Sequence, residues 1–293
     1  MKLLKCLLTA SDCYRAGGII RPRGVMVHST GANNPHLRRY VQPVDATPGR
    51  DRLLAQLGTN LNRNHWNQPR VYVYTDGTRT AGARDRNKKL KQVLYEPCVH
   101  AFIGRLVDGS VAAVQTLPWN CRGWHCGSGK KGSANDTHIS FEMCEDELTD
   151  PVYFQQAYQT AVELTAMLCK QYGLDPLADG VVICHQDGYQ MGIASNHGDV
   201  YNWFPRHGRS MDDFRANVAR VMKGDEKMSY EQWKEYMERY RGELSGQPAS
   251  AWAEKELAAA VSAGITDGQR PRDLVTREEA AIMAARAGAG KPG

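Results

Sequence analysis

Val25-Met26-Val27-His28-Ser29 is the stretch of sequence that decides the fold, together with Val181-Val182-Ile183-Cys184-His185 further along the chain. Both are short runs of β-branched and other apolar residues that lead into a histidine. Such a run is typical of a buried strand. A polar residue at the end of a buried strand lies at the edge of the sheet, so we expect both histidines to be placed where they can act as ligands or catalytic groups.

A carboxylate follows the second histidine closely, in the segment Ser195-Asn196-His197-Gly198-Asp199. His28, His185 and Asp199 together form a His/His/carboxylate set, which is the ligand set of a catalytic zinc with a fourth position left for water. Each of the three alone could equally be an unrelated polar residue. It is their combination that predicts a metal site.

The pattern around these strands predicts an α/β fold with a mixed central β-sheet flanked by helices. Asp108-Gly109 is typical of a hairpin turn, and Gly173 ends the longest predicted helix. Residues 42–98 are polar and rich in Lys and Arg, and we expect much of this segment to be a long loop. The predicted elements are, in chain order, the strand that ends at His28, a hairpin of 99–104 and 106–115, a strand over 137–144, a helix over 151–172, the strand that ends at His185 and a helix over 211–222.

The length of the chain allows one large domain, or one domain and a smaller appendage. Near the C-terminus, Thr276 and Glu279 have the spacing of a capping box that opens a helix. The predicted parts are a main domain (1–223), a linker beginning Gly224-Asp225-Glu226-Lys227 with an amphipathic helix (224–248), and a small helical C-terminal module (249–293).

Bulk composition limits the class of protein. Of 293 residues, 42% are hydrophobic and 24% are charged, as in ordinary globular proteins. The net charge of +5 favours contact with a polyanion, which by itself leaves nucleic acid, a membrane surface and an anionic wall polymer open. No phosphate-loop or dinucleotide motif is present, and no stretch approaches the ~20 apolar residues of a membrane span. The apolar start of the chain is interrupted by Lys5 and is too short for a signal peptide, so we expect synthesis in a cytosol with the eight cysteines reduced.

Two further residues are predicted to take part in catalysis. Glu142 lies between Phe141 and Met143, and a carboxylate in apolar surroundings has a raised pKa and can relay protons. His197 lies two residues before Asp199 and could donate a hydrogen bond to a substrate oxygen. The alternatives are a solvent-facing glutamate in a strand and a loop histidine without a partner.

Several aromatic and histidine residues are predicted to contact substrate. Tryptophans supply flat surfaces against which sugars stack, although they are as often core residues. Cysteine nucleophile chemistry is disfavoured because Cys126 is adjacent to its nearest histidine, and adjacent side chains do not face each other. The predicted substrate-contacting residues are His65, Trp66, His100, Trp124 and His125.

Five blocks of this sequence, in order over about residues 1–223, together resemble the zinc-dependent N-acetylmuramoyl-L-alanine amidases of the amidase-2/peptidoglycan-recognition superfamily. Among these, the chain is most similar to the endolysins of phages and prophages of Gram-positive bacteria. The blocks are Val25-Met26-Val27-His28-Ser29-Thr30-Gly31, Val99-His100-Ala101-Phe102-Ile103-Gly104, Gly123-Trp124-His125-Cys126-Gly127, Ile139-Ser140-Phe141-Glu142 and Gly192-Ile193-Ala194-Ser195-Asn196-His197-Gly198-Asp199.

The resemblance implies one Zn²⁺ and cleavage of the amide that joins the lactyl group of N-acetylmuramic acid to the L-alanine of the stem peptide. It implies that His28, His185 and Asp199 are the zinc ligands and Glu142 the acid/base. His197 stands where many members have a lysine. Two departures matter: Asp199 precedes Val200 where the family has proline, and its spacing from His185 is longer than in compact members. His197 therefore stays open as the third ligand.

The resemblance also predicts the biological setting. We expect a lysin that accumulates in the host cytoplasm and acts on the cell wall, with peptidoglycan as partner and no nucleic-acid partner. The C-terminal module resembles a single surface-layer-homology-like unit, which implies binding of anionic wall polymers; a spacer role or an oligomerisation role is the alternative. Relative to close relatives, residues 70–95 look like an insertion, and they carry no assigned role. The alternatives to an amidase are a non-catalytic peptidoglycan-binding protein on the same fold and a stem-peptide endopeptidase.

Overall fold

The computed structural model describes residues 1–95, 97–148, 150–223 and 230–289. It divides the chain into two compact units, Met1–Gly224 and Asp225–Gly293. No helix among the described residues is long and apolar enough to cross a membrane.

The first unit is built on two β-sheets. Among the residues that the structure describes, the main sheet has six strands in the order β1-β7-β6-β8-β2-β9, and only the β6–β7 pair is antiparallel. A second sheet has the order β4-β3-β5 and is antiparallel throughout. The strands are β1 (Leu3–Lys5), β2 (Gly24–Ser29), β3 (Val71–Tyr74), β4 (Arg79–Ala81), β5 (Leu90–Leu94), β6 (Ala101–Arg105), β7 (Val111–Gln115), β8 (His138–Met143) and β9 (Val182–Cys184).

The helices of the first unit lie around the main sheet. Short 3₁₀ turns add Leu37–Arg39, Ala134–Asp136 and Phe204–His207. The helices are α1 (Asp12–Ala16), α2 (Arg50–Leu57), α3 (Pro151–Tyr172), α4 (His185–Met191), α5 (Val200–Trp203) and α6 (Met211–Met222). The fold is therefore the predicted mixed central β-sheet flanked by helices.

Helix α3 begins and ends where the sequence predicts. The Asp150 side chain accepts a hydrogen bond from the Tyr153 N–H at 3.0 Å, and Pro151 fills the first helical position, where a missing N–H costs nothing. Gly173 ends the helix with a φ of +64°, a left-handed conformation that glycine adopts without steric cost. The apolar side of α3 packs on the main sheet within the largest hydrophobic cluster.

Strand alternation places the functional side chains on the other face of this sheet. Val25 and Val27 point into the cluster around α3, whereas Met26 belongs to a different cluster on the opposite face. By the same period of two, His28 shares the face of Met26, and Glu142 lies on the face opposite Phe141. The sheet thus separates a packed core from a face that carries polar groups.

The prediction that much of 42–98 is a long loop missed the regular structure within this segment. This segment contains α2 and the whole second sheet, β3 to β5. The strands have only three to five residues, and most of their side chains are at least partly exposed, so they lack the apolar alternation that identifies a strand in sequence. The edge strand β1, at the very start of the chain, was also not predicted.

In the described part of the second unit (230–289) there are three helices. In front of the last one, the Thr276 N–H donates to Glu279 Oε2 at 2.8 Å and the Glu279 N–H donates to Thr276 Oγ1 at 3.2 Å, which is the predicted capping box. The predicted linker Gly224-Asp225-Glu226-Lys227 lies outside the described residues. The helices are α7 (Tyr230–Ser245), α8 (Glu254–Ser262) and α9 (Arg277–Ala289).

Candidate metal centre

The site forms where three neighbouring strands of the main sheet end. His28 is the fifth residue of β2 and lies opposite Glu142 in the register of the parallel β2–β8 pair. On the other side, β9 pairs with β2 as far as Cys184, and His185 follows as the first residue of α4. Because these strands are parallel, their carboxyl ends bring His28, Glu142 and His185 to one edge of the sheet.

Asp199 completes the group from the loop before α5. Its Oδ2 lies 2.6 Å from His28 Nδ1 and 3.1 Å from His185 Nδ1. One ligand atom from each of the three residues lies within 4.8 Å of the others. Two imidazole nitrogens and a carboxylate oxygen at this separation are a donor set that fits Zn²⁺ with one coordination position left open.

The backbone of Asp199 is in a conformation that non-glycine residues rarely adopt, with φ +46° and ψ −131°. Such a conformation costs about 1–3 kcal/mol and persists only where surrounding contacts hold it. The two histidine contacts of the carboxylate are such contacts. These contacts therefore hold the Asp199 backbone in a strained conformation that places its carboxylate against both histidines.

The electrostatics of the three residues suit ligand chemistry. Burial opposes ionisation of Asp199, but hydrogen bonds from His185 and His28 outweigh it and lower the pKa of the carboxyl. Burial lowers the pKa of His28, and the nearby Asp199 carboxylate only partly opposes this shift. His28 is therefore neutral near pH 7 and keeps a nitrogen lone pair for a metal.

The ring nitrogens of both histidines that face away from Asp199 also have partners. His28 Nε2 lies 3.0 Å from His125 Nδ1, and His185 Nε2 lies 3.3 Å from Ser195 Oγ. If Nδ1 of His28 is the ligand atom, the proton lies on Nε2, and Nε2–H would donate to His125 Nδ1. Partners of this kind fix the tautomer and orientation of ligand histidines. The sequence predicted a substrate contact for His125 and did not identify Ser195.

Glu142 has the features of a proton-relay group. Burial raises its pKa well above the usual value, and the carboxylates of Asp199 and Glu145 add to the shift. Its Oε2 is buried and has no hydrogen-bond partner among the described residues. Glu145 was not predicted from sequence: its Oε1 accepts hydrogen bonds from Ser29 Oγ at 2.6 Å and from the Gly31 N–H at 3.3 Å.

His197 lies beside the site and is exposed. Its ring is 4.6 Å from that of His185, and its Nδ1 is 3.2 Å from Ser195 Oγ. Among the described residues, the group that could hold a metal contains Asp199 and not His197. The geometry thus favours Asp199 over His197 as the third donor, and the assignment itself is part of the proposal below.

The predicted substrate contact of His100 is not compatible with its position. The side chain is fully buried, with Nε2 2.7 Å from the Cys121 carbonyl oxygen and Nδ1 3.2 Å from Ser140 Oγ. It stabilises the packing between β6 and the loop that carries His125. The strand that begins one residue later turns this side chain inward, which residue type alone does not reveal.

The remaining predicted contact residues are half-buried. The Trp66 ring packs edge-on against Phe102 at 5.0 Å, and Phe102 lies opposite Glu142 in the β6–β8 register. Trp124 lies under the Arg122 guanidinium at 5.7 Å. Trp66 thus packs on the residue that neighbours Glu142 across the β6–β8 pair. Sugar contacts by Trp66, Trp124 and His65 stay predictions.

The chain was compared with known families and structures. A model of the family described as N-acetylmuramoyl-L-alanine amidase matches residues 20–202, more than half of the chain. Hydrolase AmiA of Staphylococcus aureus in complex with its ligand has 17% identity and a TM-score of 0.45, over 76% of this chain and 83% of that one. A mutant endolysin from Bacillus subtilis has 19% identity and a TM-score of 0.41, over 74% of this chain and 99% of that one. No curated protein sequence matches significantly. From the family match, the chain belongs to the N-acetylmuramoyl-L-alanine amidase (amidase-2) family, whose substrate is peptidoglycan.

Proposed function

We propose that the protein is a zinc-dependent amidase that hydrolyses the bond between N-acetylmuramic acid and L-alanine in bacterial peptidoglycan. The observation that carries this proposal is the convergence of His28, His185 and Asp199 beside a buried carboxyl, Glu142. The family match supports the same reaction. The products are a glycan with a free lactyl carboxylate and a stem peptide with a new amino terminus.

Zn²⁺ would be held by His28, His185 and Asp199, whose donor types fit it. When bound there, the ion polarises the substrate carbonyl and lowers the pKa of water. His125 and Ser195 orient the two imidazoles through their second ring nitrogens. This support keeps the ligand atoms in place before the ion and the substrate arrive.

Glu142 moves the proton. Burial raises the pKa of its carboxyl, so the group holds a proton more strongly than an exposed glutamate does and can both accept and return one. In the attack step it takes a proton from water as the C–O bond forms. In the collapse step it delivers that proton to the departing amine nitrogen as the C–N bond breaks. His197 lies on the solvent side of His185 and donates a hydrogen bond to the oxygen of the scissile carbonyl.

The test uses purified full-length protein loaded with one equivalent of zinc and purified peptidoglycan. The expected result is release of L-alanine amino termini, with mass spectrometry showing intact glycan and free stem peptides. New amino termini within the stem peptide would instead identify an endopeptidase. Binding without any new amino termini would identify a non-catalytic peptidoglycan-binding protein.

The biological setting is proposed on the same basis. The activity suits a phage or prophage lysin that accumulates in the host cytoplasm and degrades the wall after release. The second unit, with α8 free of buried residues and a Trp252 that is 83% exposed, would bind wall polymers. Inducible expression in a host tests the first point, because lysis should require a co-expressed pore-forming protein.

A further inference from the structure

The second sheet concentrates the positive charge of the molecule. Residues 70–95, all of them described, contain seven Lys or Arg and two Asp, a net charge of +5. The whole chain also has a net charge of +5, so the rest of the sequence is electrically balanced. We call residues 70–95 the basic sheet.

Most of these charges have no internal partner. Arg70 Nε pairs with Asp12 at 2.9 Å, and Lys88 Nζ pairs with Asp76 at 3.1 Å. The other five side chains are exposed, and none of them forms an ion pair with any described residue. These five are Arg79, Arg84, Arg86, Lys89 and Lys91.

Hydrogen bonds within the basic sheet hold the segments that carry these charges in place. Tyr74 is buried, and its hydroxyl lies 2.9 Å from Thr80 Oγ1. The same hydroxyl oxygen accepts a hydrogen bond from the Asp85 N–H. These two contacts hold the loop that carries Arg84 and Arg86 against β3. Directly after β3, the Thr75 N–H donates to the Lys89 carbonyl oxygen at 2.9 Å.

The surface chemistry of the basic sheet narrows the kind of polyanion that it can bind. None of its residues is an exposed large hydrophobic side chain, so it lacks the groups that insert into a lipid surface. Its three tyrosines are buried or half-buried, so it offers no exposed ring on which nucleic-acid bases could stack. These features leave electrostatic contact with the charged backbone of a polyanion, without insertion into acyl chains and without stacking on bases.

We propose that the basic sheet binds the phosphodiester polymer of the bacterial wall, as a wall contact in addition to the amidase site and to the contact proposed for the second unit. The choice of this polyanion rests on the proposed function, which places the substrate in the same wall. Five unpaired cations on one small sheet raise the local concentration of enzyme at a polyanionic surface, and each contact with a phosphate makes binding more sensitive to salt.

The experiment measures co-sedimentation of the full-length protein with intact walls and with walls whose phosphodiester polymer has been removed by acid. Salt is varied between roughly 0.05 and 0.5 M, across which the screening length shortens severalfold. The test variant carries Arg84→Gln, Arg86→Gln, Lys89→Gln and Lys91→Gln. The matched control removes the same charge from scattered exposed positions through Arg15→Gln, Arg21→Gln, Arg52→Gln and Arg220→Gln.

The test variant should bind intact walls at low salt at least about tenfold more weakly than the unaltered protein, with a shallower salt dependence, whereas the control should change by less than about twofold. Both variants should bind stripped walls like the unaltered protein. A variant with Arg84→Lys and Arg86→Lys keeps the charge and should retain binding. Equal losses in test and control variants would overturn the proposal, as would undiminished binding of the test variant.

Two further measurements separate this proposal from competing explanations. Binding to anionic lipid vesicles or to duplex DNA that matches or exceeds binding to the wall polymer would overturn the choice of partner. Amide cleavage on stripped walls should be the same for the test variant and the unaltered protein. If the unaltered protein released no amino termini from stripped walls, the proposed function would fail, while the wall-binding result would stand independently.

Discussion

The two sheets of the first unit use polar residues in opposite ways. In β2, all six residues are buried, so each polar group at its end must find a partner or perform chemistry. In the basic sheet, most polar groups face solvent and five cations stay unpaired. Burial makes an interaction strong, local and dependent on geometry, whereas exposure makes it weak, long-ranged and dependent on salt. The first arrangement suits catalysis, and the second suits capture of a charged surface.

The largest expected effect comes from removing a buried donor. Asp199→Ala deletes the oxygen that lies between His28 and His185, and we expect loss of stoichiometric zinc binding together with loss of turnover. His197→Ala should keep the zinc and lose only part of the turnover. For both variants, zinc binding is measured by zinc titration and as the zinc content that remains after gel filtration. The opposite pattern would make His197 the third ligand.

Glu142→Gln should lower kcat by roughly 10²–10⁴-fold while zinc affinity stays unchanged, because it removes the proton relay and keeps the shape of the side chain. Glu147, an exposed glutamate in the loop after β8, supplies the control, and Glu147→Gln should be silent. Undiminished turnover in Glu142→Gln would exclude its catalytic role and direct attention to Glu145.

The same substitution predicts a pH-dependent change in stability. Burial raises the folded-state pKa of Glu142 above its unfolded value, so the unfolded state releases the proton first as pH rises. The contribution of Glu142 to the stability of metal-free protein therefore falls from about pH 4.5 upward, by at most ~1.4 kcal/mol for each pH unit until the folded-state pKa is reached. Glu142→Gln removes this loss. Its melting temperature should exceed that of the unaltered protein at pH 7, and the gap should close near pH 4.

His125→Ala should weaken zinc binding by about 10–100-fold, because it leaves the Nε2–H of His28 without its acceptor and frees the ring to rotate. His125→Asn keeps a hydrogen-bonding group and should restore part of the affinity. His138 is a comparable buried histidine that bonds the Gly180 carbonyl oxygen, and His138→Asn should lower stability without changing zinc affinity. Equal zinc affinities in His125→Ala and the unaltered protein would show that His125 contributes to packing and not to zinc binding.

Sequence patterns predicted the buried sheet far better than the exposed one. The apolar alternation of β2 and β8 and the spacing of α3 follow from burial, which is why the positions of His28 and Glu142 could be expected. The geometry of the loop residues was harder to predict. The positive φ of Asp199 and the contact between His28 and His125 depend on packing between segments that are 97 or more residues apart in sequence. The basic sheet was missed because exposed strands owe little to apolar periodicity and much to pairing.

The smallest expected effect tests whether the basic sheet is a framework or merely a collection of charges. Tyr74→Phe removes one hydroxyl and leaves the buried ring, so the Asp85 N–H and Thr80 Oγ1 lose their shared partner. The expected cost is about 0.5–1.5 kcal/mol of unfolding free energy, measured by urea denaturation. Tyr72 is half-buried in the same strand, and Tyr72→Phe is the matched control with a smaller loss of unfolding free energy.

Because Arg84 and Arg86 flank Asp85, Tyr74→Phe should also weaken wall binding by about twofold without altering amide cleavage on stripped walls. A variant that lost stability but bound walls as before would mean that the five cations act through their number alone, and that their arrangement on the sheet is immaterial.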